Sequence, residues 1–227
     1  MTELFDRTQE YDAMLNRGIR LSGENKDYFA FHRVRDLAAH LPKNFHPKRI
    51  LDFGCGLGDT TPHLVSFFPN AAIVGVDTAV NAIQYAQKNL ATETISFFPL
   101  SELAGLEPFD LCYTNGVFHH IEPQHRAETG RLIYRALNPQ GHFALFENNP
   151  WNPGARLVMT LIPFDRDAQM ISIPKAQQLL GQSGFRASHG AHTLFYFPKW
   201  FAALRFLEPR LERLPLGAQY CVLGIKS

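Results

Sequence analysis

The stretch RILDFGCGLGDTT, residues 49–61, decides the fold, because it predicts a short buried strand, a glycine-rich turn and the start of a helix. Three glycines at alternate positions let the backbone adopt positive φ and approach a ligand with no Cβ in the way. Asp52 lies near the end of the strand, and Asp59 and Thr60 stand where the helix is expected to be capped. Such a turn at the carboxyl end of a strand indicates a site for a nucleotide-like ligand in an open α/β sheet.

The rest of the chain alternates predicted strands and helices around this turn. Apolar runs bounded by turn residues predict strands, and apolar residues at helical spacing predict helices. Residues 1–45 are predicted to be a helical extension, with apolar stripes that include Tyr11, Met14 and Leu15. The alternation predicts an α/β fold with a doubly wound sheet in a single domain, residues 1–227. The predicted strands are 50–53, 71–77, 95–98, 109–114, 141–146, 192–197 and 219–225, and the predicted helices are 60–68, 79–90, 123–137, 174–183 and 200–214.

The composition indicates an ordinary globular protein. Hydrophobic residues make up 45% of the chain, charged residues 19%, and the net charge is +1, so no basic field suggests a nucleic-acid partner. The three cysteines are far apart and form neither a CxxC pair nor a disulfide framework. The first twelve residues lack the form of a signal peptide. A cytoplasmic location is therefore expected.

Two ligand classes compete for the glycine turn. A dinucleotide fold requires G-x-G-x-x-G, whose third glycine would fall on Asp59. The chain has G-x-G-x-G instead, and with its further segments it resembles the class I S-adenosylmethionine-dependent methyltransferases. An NAD(P)-dependent oxidoreductase and a non-catalytic cofactor-binding protein are the alternatives. The segments that carry the resemblance, in the family's order, are 51–58, 74–77, 109–111, 115–121 and 137–141.

The resemblance implies a Rossmann-like, doubly wound seven-stranded sheet, mostly parallel with an antiparallel last strand. It implies S-adenosylmethionine as the cofactor and S-adenosylhomocysteine as its product. In the family, the position of Asp77 binds the ribose and that of Asp52 acts at the methionine end; a helix cap and a turn residue are the alternatives. Leu100 stands where the family usually has an acidic residue. The predicted cofactor-binding residues are Asp52, Gly54, Gly56, Gly58, Asp77, Thr78, Leu100, Ser101, Asn115, Tyr28 and Arg33.

Three residues are candidates for catalysis: His119, His120 and Glu147. Histidine titrates near neutral pH and can serve as a general base, although one ring of the pair is expected to be structural. Glu147 follows a predicted strand, where a carboxylate could accept a proton from the methyl acceptor or orient it; capping of the next turn is the alternative. No metal site is predicted, because the histidines and carboxylates lack a recognisable ligand spacing.

The expected reaction is methyl transfer by in-line displacement to an oxygen or nitrogen nucleophile of a small molecule. Residues 148–214, including Phe164, Asp165 and Asp167, form the predicted substrate-side elaboration, and residues 1–45 a lid over the pocket. The aromatic and basic segment 197–214 could rest on a membrane or hold a lipid-linked acceptor, with packing on the sheet as the alternative. The sequence leaves the oligomeric state open.

Overall fold

The computed structural model describes residues 18–162, 165 and 168–227. The predicted stripe of Tyr11, Met14 and Leu15 lies outside this range, as do Phe164 and Asp167 of the predicted elaboration.

Seven strands within the described residues form one sheet. All neighbouring pairs are parallel except those of the last strand, which runs antiparallel to both of its neighbours. This arrangement confirms the predicted fold class. The strands are β1 (Arg49–Phe53), β2 (Ala72–Asp77), β3 (Ile95–Pro99), β4 (Phe109–Asn115), β5 (Leu137–Asn148), β6 (Arg186–Leu194) and β7 (Gln219–Ile225), in the order β3-β2-β1-β4-β5-β7-β6.

Helices connect these strands, and one helix precedes the sheet. They are α1 (Lys26–His40), α2 (Thr61–Phe67), α3 (Val80–Leu90), α4 (Pro123–Ala136), α5 (Pro153–Leu161), α6 (Ile173–Gln182) and α7 (Glu208–Leu211). Shorter 3-10 segments span Arg20–Ser22, Leu100–Gly105, Phe118–His120 and Lys199–Leu207. None of the helices in the described part of the chain has the length and hydropathy of a membrane span.

The position of β1 in the sheet places the ligand site. It pairs with β2 on one side and β4 on the other, so the chain winds outward from it in both directions. The crevice at the carboxyl end of β1 is therefore a topological switch point, where open α/β sheets bind ligands. Because β1, β2, β4 and β5 are parallel, their last residues Phe53, Asp77, Asn115 and Asn148 meet at this one edge.

Both faces of the sheet are covered, which explains the continuous apolar runs of the strands. Successive side chains of a strand point to opposite faces. Leu51 and Phe53 accordingly belong to one buried cluster with Phe118 and Phe143, whereas Ile50 belongs to a second buried cluster on the other face.

Several local predictions differ from the structure. Helix α5 occupies a stretch where loop residues were expected, because the Asn152 side chain accepts a hydrogen bond from Ala155 N and caps a helix that begins at Pro153. Strand β6 begins at Arg186 rather than at position 192. The segment 199–207 is a 3-10 helix rather than an α-helix.

The predicted cap of α2 is confirmed in its position but not in its side-chain hydrogen bond. Thr60 is the N-cap residue but makes no capping hydrogen bond with its side chain. Asp59 instead forms an ion pair with Lys26 of α1, with Nζ–Oδ1 at 2.8 Å. The carboxylate thus ties the glycine turn to the helix before the sheet.

Candidate functional site

The turn after β1 has backbone geometry that requires glycine. Gly54 has a φ of 74° and Gly56 a φ of 53°, both in the left-handed region. A Cβ on Gly54 would lie 2.3 Å from a methyl carbon of Val117, whereas a Cβ on Gly56 would meet no described atom within 4 Å. Gly56 therefore faces open space. Gly58 lies outside that space and packs on α3, where a Cβ would lie 2.6 Å from Leu90 Cδ1.

A cavity of about 870 Å³ opens in front of the turn. Strand ends form its floor, α1 contributes one wall, and α5 and residues 195–198 contribute others. The volume falls in the range of roughly 300–1,000 Å³ that small-molecule sites occupy. Most lining residues are apolar and include Phe29, Phe53, Leu57, Leu100, Val158, Ile162, Phe195 and Phe197.

Asp77 lines the cavity at the carboxyl end of β2 and organises the turn. Its Oδ2 accepts a hydrogen bond from Gly56 N at 2.9 Å, and its Oδ1 accepts one from Ala79 N at 2.9 Å. The carboxylate thus joins the glycine turn to the start of α3. A carboxylate has further acceptor capacity beyond these two bonds, so a ligand hydroxyl can bind it as well.

Asp52 is a buried carboxyl group beneath the turn. Its side chain is 2% exposed, and its Oδ2 has no hydrogen-bond partner among the described residues. Burial, followed by the charge of Asp77, raises the pKa of Asp52 to about 7, although the Arg33 guanidinium acts in the opposite direction. The protein therefore holds an unsatisfied acidic group at the place where the cofactor is expected.

Replacing Asp52 with asparagine should stabilise the ligand-free protein at pH 8. The folded-state pKa is above the unfolded value, so stability is greatest at low pH and is lost as the pH rises toward 7. An asparagine side chain is uncharged at every pH. We therefore expect the variant to gain about 2–4 kcal/mol in the free energy of unfolding at pH 8, and this difference from the wild type should become smaller toward pH 5. Urea denaturation at both pH values measures it.

Asp110→Asn is the matched control, because that carboxylate accepts hydrogen bonds from Lys48 N, Arg49 N and Asn138 Nδ2. We expect it to lower stability at pH 8. If Asp52→Asn is no more stable than the wild type at pH 8, Asp52 is not a buried carboxyl group with a raised pKa.

Other predicted cofactor residues divide into two groups. Thr78, Leu100, Asn115 and Arg33 line the cavity. Ser101 and Tyr28 lie outside the lining: Ser101 is exposed on its 3-10 segment, and Tyr28 packs against His32 and Tyr196 with Arg205 over its ring at 4.7 Å.

A polar network on the cavity floor centres on Gln219 of β7, which the sequence did not single out. Its Oε1 accepts a hydrogen bond from Arg33 Nη1 at 3.3 Å, and its Nε2 donates to Asn148 Oδ1 at 3.0 Å and to Asn115 Oδ1 at 3.4 Å. Arg33 Nε also donates to Tyr113 Oη at 3.1 Å. This network joins α1, β4, β5 and β7 across the site.

The two adjacent histidines and Asp165 form a polar wall of the cavity, and Glu147 lies behind it. His119 Nδ1 and Glu147 Oε2 are 2.6 Å apart, and Glu147 Oε1 accepts a hydrogen bond from Phe118 N at 2.8 Å. On the other side of the ring, His119 Nε2 lies 3.0 Å from His120 Nε2 and 3.5 Å from Asp165 Oδ1. Both histidines and Asp165 line the cavity.

Neighbouring charged groups outweigh burial in setting the pKa values of His119 and Asp165. Burial alone would lower the pKa of His119, but the Glu147 carboxylate and Asp165 outweigh it and raise the pKa to about 10. The two nearby histidines, whose Nε2 atoms lie 3.5 and 3.2 Å from Asp165 Oδ1, hold the pKa of Asp165 below its usual value against the opposing effect of burial. Glu147 is fully buried and faces the turn that carries the histidines, rather than capping the turn that follows it.

Fold and cavity together define a Rossmann-like α/β protein with a nucleotide-type pocket at its switch point. A family model described as a methyltransferase domain matches residues 51–143. The chain is 31% identical over 182 residues to the trans-aconitate 2-methyltransferase of Rhodopseudomonas palustris (strain BisB5), covering 79% of this chain and 64% of that protein. It is 31% identical over 149 residues to the malonyl-[acyl-carrier protein] O-methyltransferase of Priestia megaterium, covering 60% and 54%.

Solved structures agree on the fold. The S-adenosylmethionine-dependent methyltransferase of Thermotoga maritima, described as a possible histamine N-methyltransferase, matches with a TM-score of 0.65 at 17% identity over 100% of both chains. Residues 51–143 thus match a methyltransferase-domain family, and the fold is that of the class I S-adenosylmethionine-dependent methyltransferases, as the motifs predict, with S-adenosylmethionine as the cofactor of that family. The chain spans about half to two thirds of the length of the first curated relatives that it matches.

The residues at the glycine turn fit this cofactor. Gly56 leaves open space where a side chain would stand, and the unsatisfied Asp52 lies beneath it. Asp77 lines the same cavity and offers carboxylate oxygens to hydroxyl groups. The relatives give no support to the NAD(P)-dependent oxidoreductase alternative.

Proposed function

We propose that this protein transfers a methyl group from S-adenosylmethionine to an oxygen of a small, mainly apolar molecule. The observation that carries the proposal is the continuous cavity, which extends from the glycine turn at Gly56 to the polar wall of His119, His120 and Asp165. A cofactor held at the turn and an acceptor held at the wall would share one enclosed space.

S-adenosylmethionine supplies the methyl group on a sulfonium sulfur that is already a strong donor. Asp77, the glycine turn and the Gln219 network hold one reactant, while apolar residues such as Phe29 and Phe197 exclude water. Orientation of two reactants in this way can lower a barrier by roughly 7–11 kcal/mol. The C–S bond breaks as the C–O bond forms, and a hydroxyl acceptor gives up its proton to the polar wall or to water.

The relatives make a carboxylate the first acceptor to test. The names of two relatives refer to trans-aconitate, a carboxylate, and to O-methylation of a malonyl group. A carboxylate needs no base, and the imidazole rings of the polar wall would bind it. A hydroxyl acceptor is the second candidate, and it would use the same wall to lose its proton.

An acceptor panel tests this function. Purified protein with S-adenosylmethionine labelled in its methyl group would be offered carboxylates, phenols, alcohols and amines, and labelled product would be counted. We expect transfer to an oxygen acceptor. Transfer to amines alone would contradict the proposed acceptor class, and binding of S-adenosylhomocysteine without transfer to any class would favour a non-catalytic binding protein.

A second candidate is a lipid-linked acceptor reached from a membrane surface. In the 3-10 segment 199–207, Trp200 is 76% and Phe206 63% exposed. This segment directly follows Phe197 and Pro198, which line the cavity. Its basic residues outnumber the acidic ones through position 214, and the carboxylates of Glu208 and Glu212 are engaged with Phe197 N and His40. An aromatic and basic face of this kind suits anionic lipid.

Replacing both Trp200 and Phe206 with serine should weaken binding to vesicles that contain anionic lipid. Burial of an aromatic side chain contributes roughly 1.5–3 kcal/mol, so we expect at least a tenfold loss in partitioning. Co-sedimentation with vesicles measures it. Tyr85→Ser, at an exposed aromatic on α3, is the control and should bind as the wild type does. Absence of wild-type binding, or equal binding by all three proteins, would remove this candidate.

A further inference from the structure

We propose that His119 Nε2, His120 Nε2 and Asp165 Oδ1 form a binding site for a divalent transition-metal ion such as Zn²⁺ in the wall of the cavity. No ligand spacing in the sequence predicts such a site. The 3-10 turn Phe118–His120 presents the two rings together, and Asp165 arrives from the segment after α5.

The distances among the three atoms match one face of a metal tetrahedron. His119 Nε2 and His120 Nε2 are 3.0 Å apart, and Asp165 Oδ1 lies 3.5 Å from the first and 3.2 Å from the second. A tetrahedral ion with ligand bonds of about 2.0–2.1 Å has edges of about 3.3–3.4 Å between ligand atoms. A zinc ion thus fits this triangle with shifts of a few tenths of an ångström.

The surroundings of His119 resemble the outer shell of a metal ligand. Its Nδ1 lies 2.6 Å from Glu147 Oε2, and the other oxygen of that carboxylate is held by Phe118 N and His119 N. A carboxylate on one ring nitrogen fixes the tautomer and leaves the other nitrogen as the ligand. Glu147 is fully buried, which makes this orientation rigid.

Burial also favours an ion. His119 is 4% and Asp165 7% exposed, so both are largely removed from water. Two imidazole Nε2 atoms that face each other at 3.0 Å need a proton or a cation between them, because each nitrogen otherwise presents a lone pair. A shared proton is the competing explanation, and metal titration of the wild type and its variants decides between the two.

The site leaves a coordination position open. All three ligand residues line the cavity, so the fourth vertex is available to an oxygen from a bound molecule. Three protein ligands with one open position are typical of catalytic rather than structural zinc. The ion would bind the acceptor's carboxylate or lower the pKa of its hydroxyl, a role that rests on the proposed methyl transfer.

A second histidine and carboxylate cluster lacks this geometry. His40 and His192 lie close to Asp36, but their rings are stacked at 3.7 Å with an interplanar angle of 10°. Ring nitrogens have their lone pairs in the ring plane, so parallel stacked rings do not direct them at one point. This cluster therefore supplies the control variant.

Metal titration of the chelator-treated full chain tests the proposal. With Zn²⁺ or Co²⁺ as the probe, we expect one ion per chain in the wild type, seen by calorimetry and by elemental analysis after dialysis. His120→Ala and Asp165→Asn should each weaken binding at least 100-fold, and Glu147→Gln should weaken it about 10- to 100-fold. His192→Ala should bind as the wild type does. No tight binding, or equal binding by wild type, His120→Ala and Asp165→Asn, would overturn the proposal.

Two further measurements keep the result interpretable. Circular dichroism and S-adenosylhomocysteine binding report whether Asp165→Asn is folded, and His120→Ala supplies a second, partly exposed ligand position. Methyl transfer by wild-type protein that binds no metal would overturn the metal site and leave the proposed function intact. Metal binding without methyl transfer to any acceptor would support the metal site and contradict the proposed function.

Discussion

Replacing Asp77 with alanine should raise the Kd for S-adenosylhomocysteine by roughly 30- to 1,000-fold, because charge-assisted hydrogen bonds contribute about 1.5–3 kcal/mol each. The Asp77 carboxylate lines the cavity at the end of β2 and is proposed to accept hydrogen bonds from the ribose hydroxyls. It also accepts hydrogen bonds from Gly56 N and Ala79 N, so its loss would loosen the glycine turn. Isothermal titration calorimetry measures the change directly.

Asp27→Ala is the matched control for removal of a carboxylate. The Asp27 side chain is 70% exposed on α1 and is paired with His63 at 2.8 Å. Exposed pairs contribute about 0–1 kcal/mol, so the Kd for S-adenosylhomocysteine should change little. An affinity of Asp77→Ala within threefold of the control would remove Asp77 from the cofactor site.

Replacing Glu147 with glutamine should lower kcat by about 10- to 100-fold while the Kd for S-adenosylhomocysteine changes only a few-fold. Glu147 lies behind the polar wall and holds His119 through Nδ1 and the backbone N–H groups of residues 118 and 119. It is therefore a positioning residue. A glutamine amide offers one oxygen acceptor for these donors and turns an N–H group toward another of them. The His119 ring would lose its orientation, and loss of such an outer partner costs about 10- to 100-fold in metal affinity or activity.

Glu208→Gln separates this effect from a general loss of stability. Glu208 is also buried, and its Oε1 accepts a hydrogen bond from Phe197 N at 2.7 Å. We expect both variants to lower the thermal unfolding temperature, but only Glu147→Gln to lower kcat strongly. Single-turnover methyl transfer with saturating acceptor provides the measurement. Equal kcat values for the two variants would show that Glu147 acts only on stability.

Much of the fold was predictable because its signals are local. The apolar runs that became β1 and β2 are short and end in turn or acidic residues, and their parallel pairing follows from the helices between them. Helix α5 was missed because Asn152-Pro153 is compatible with both a loop and a helix start. Packing of Ala155 and Met159 on the rest of the protein decided between these outcomes.

The residues of the candidate site also differ in whether the sequence alone could group them. Asp52, Asp77 and Asn115 could be grouped from the sequence, because the carboxyl ends of parallel strands share one edge. Gln219 and Asp165 could not, because each reaches the site from a segment far along the chain. No local pattern links Gln219 to Arg33, or Asp165 to His120, although each pair lies within 3.5 Å.

The sequence by itself determined the doubly wound sheet, the glycine turn and the methyltransferase family, since these depend on periodicity and on residues adjacent in the chain. Only the tertiary structure decided the direction of each polar side chain at the strand ends. Glu147 could have faced the cavity or the next turn, and packing placed it behind His119 instead. The same long-range packing brought Asp165 to the two histidines, because distances between segments are set by the whole core rather than by any local pattern.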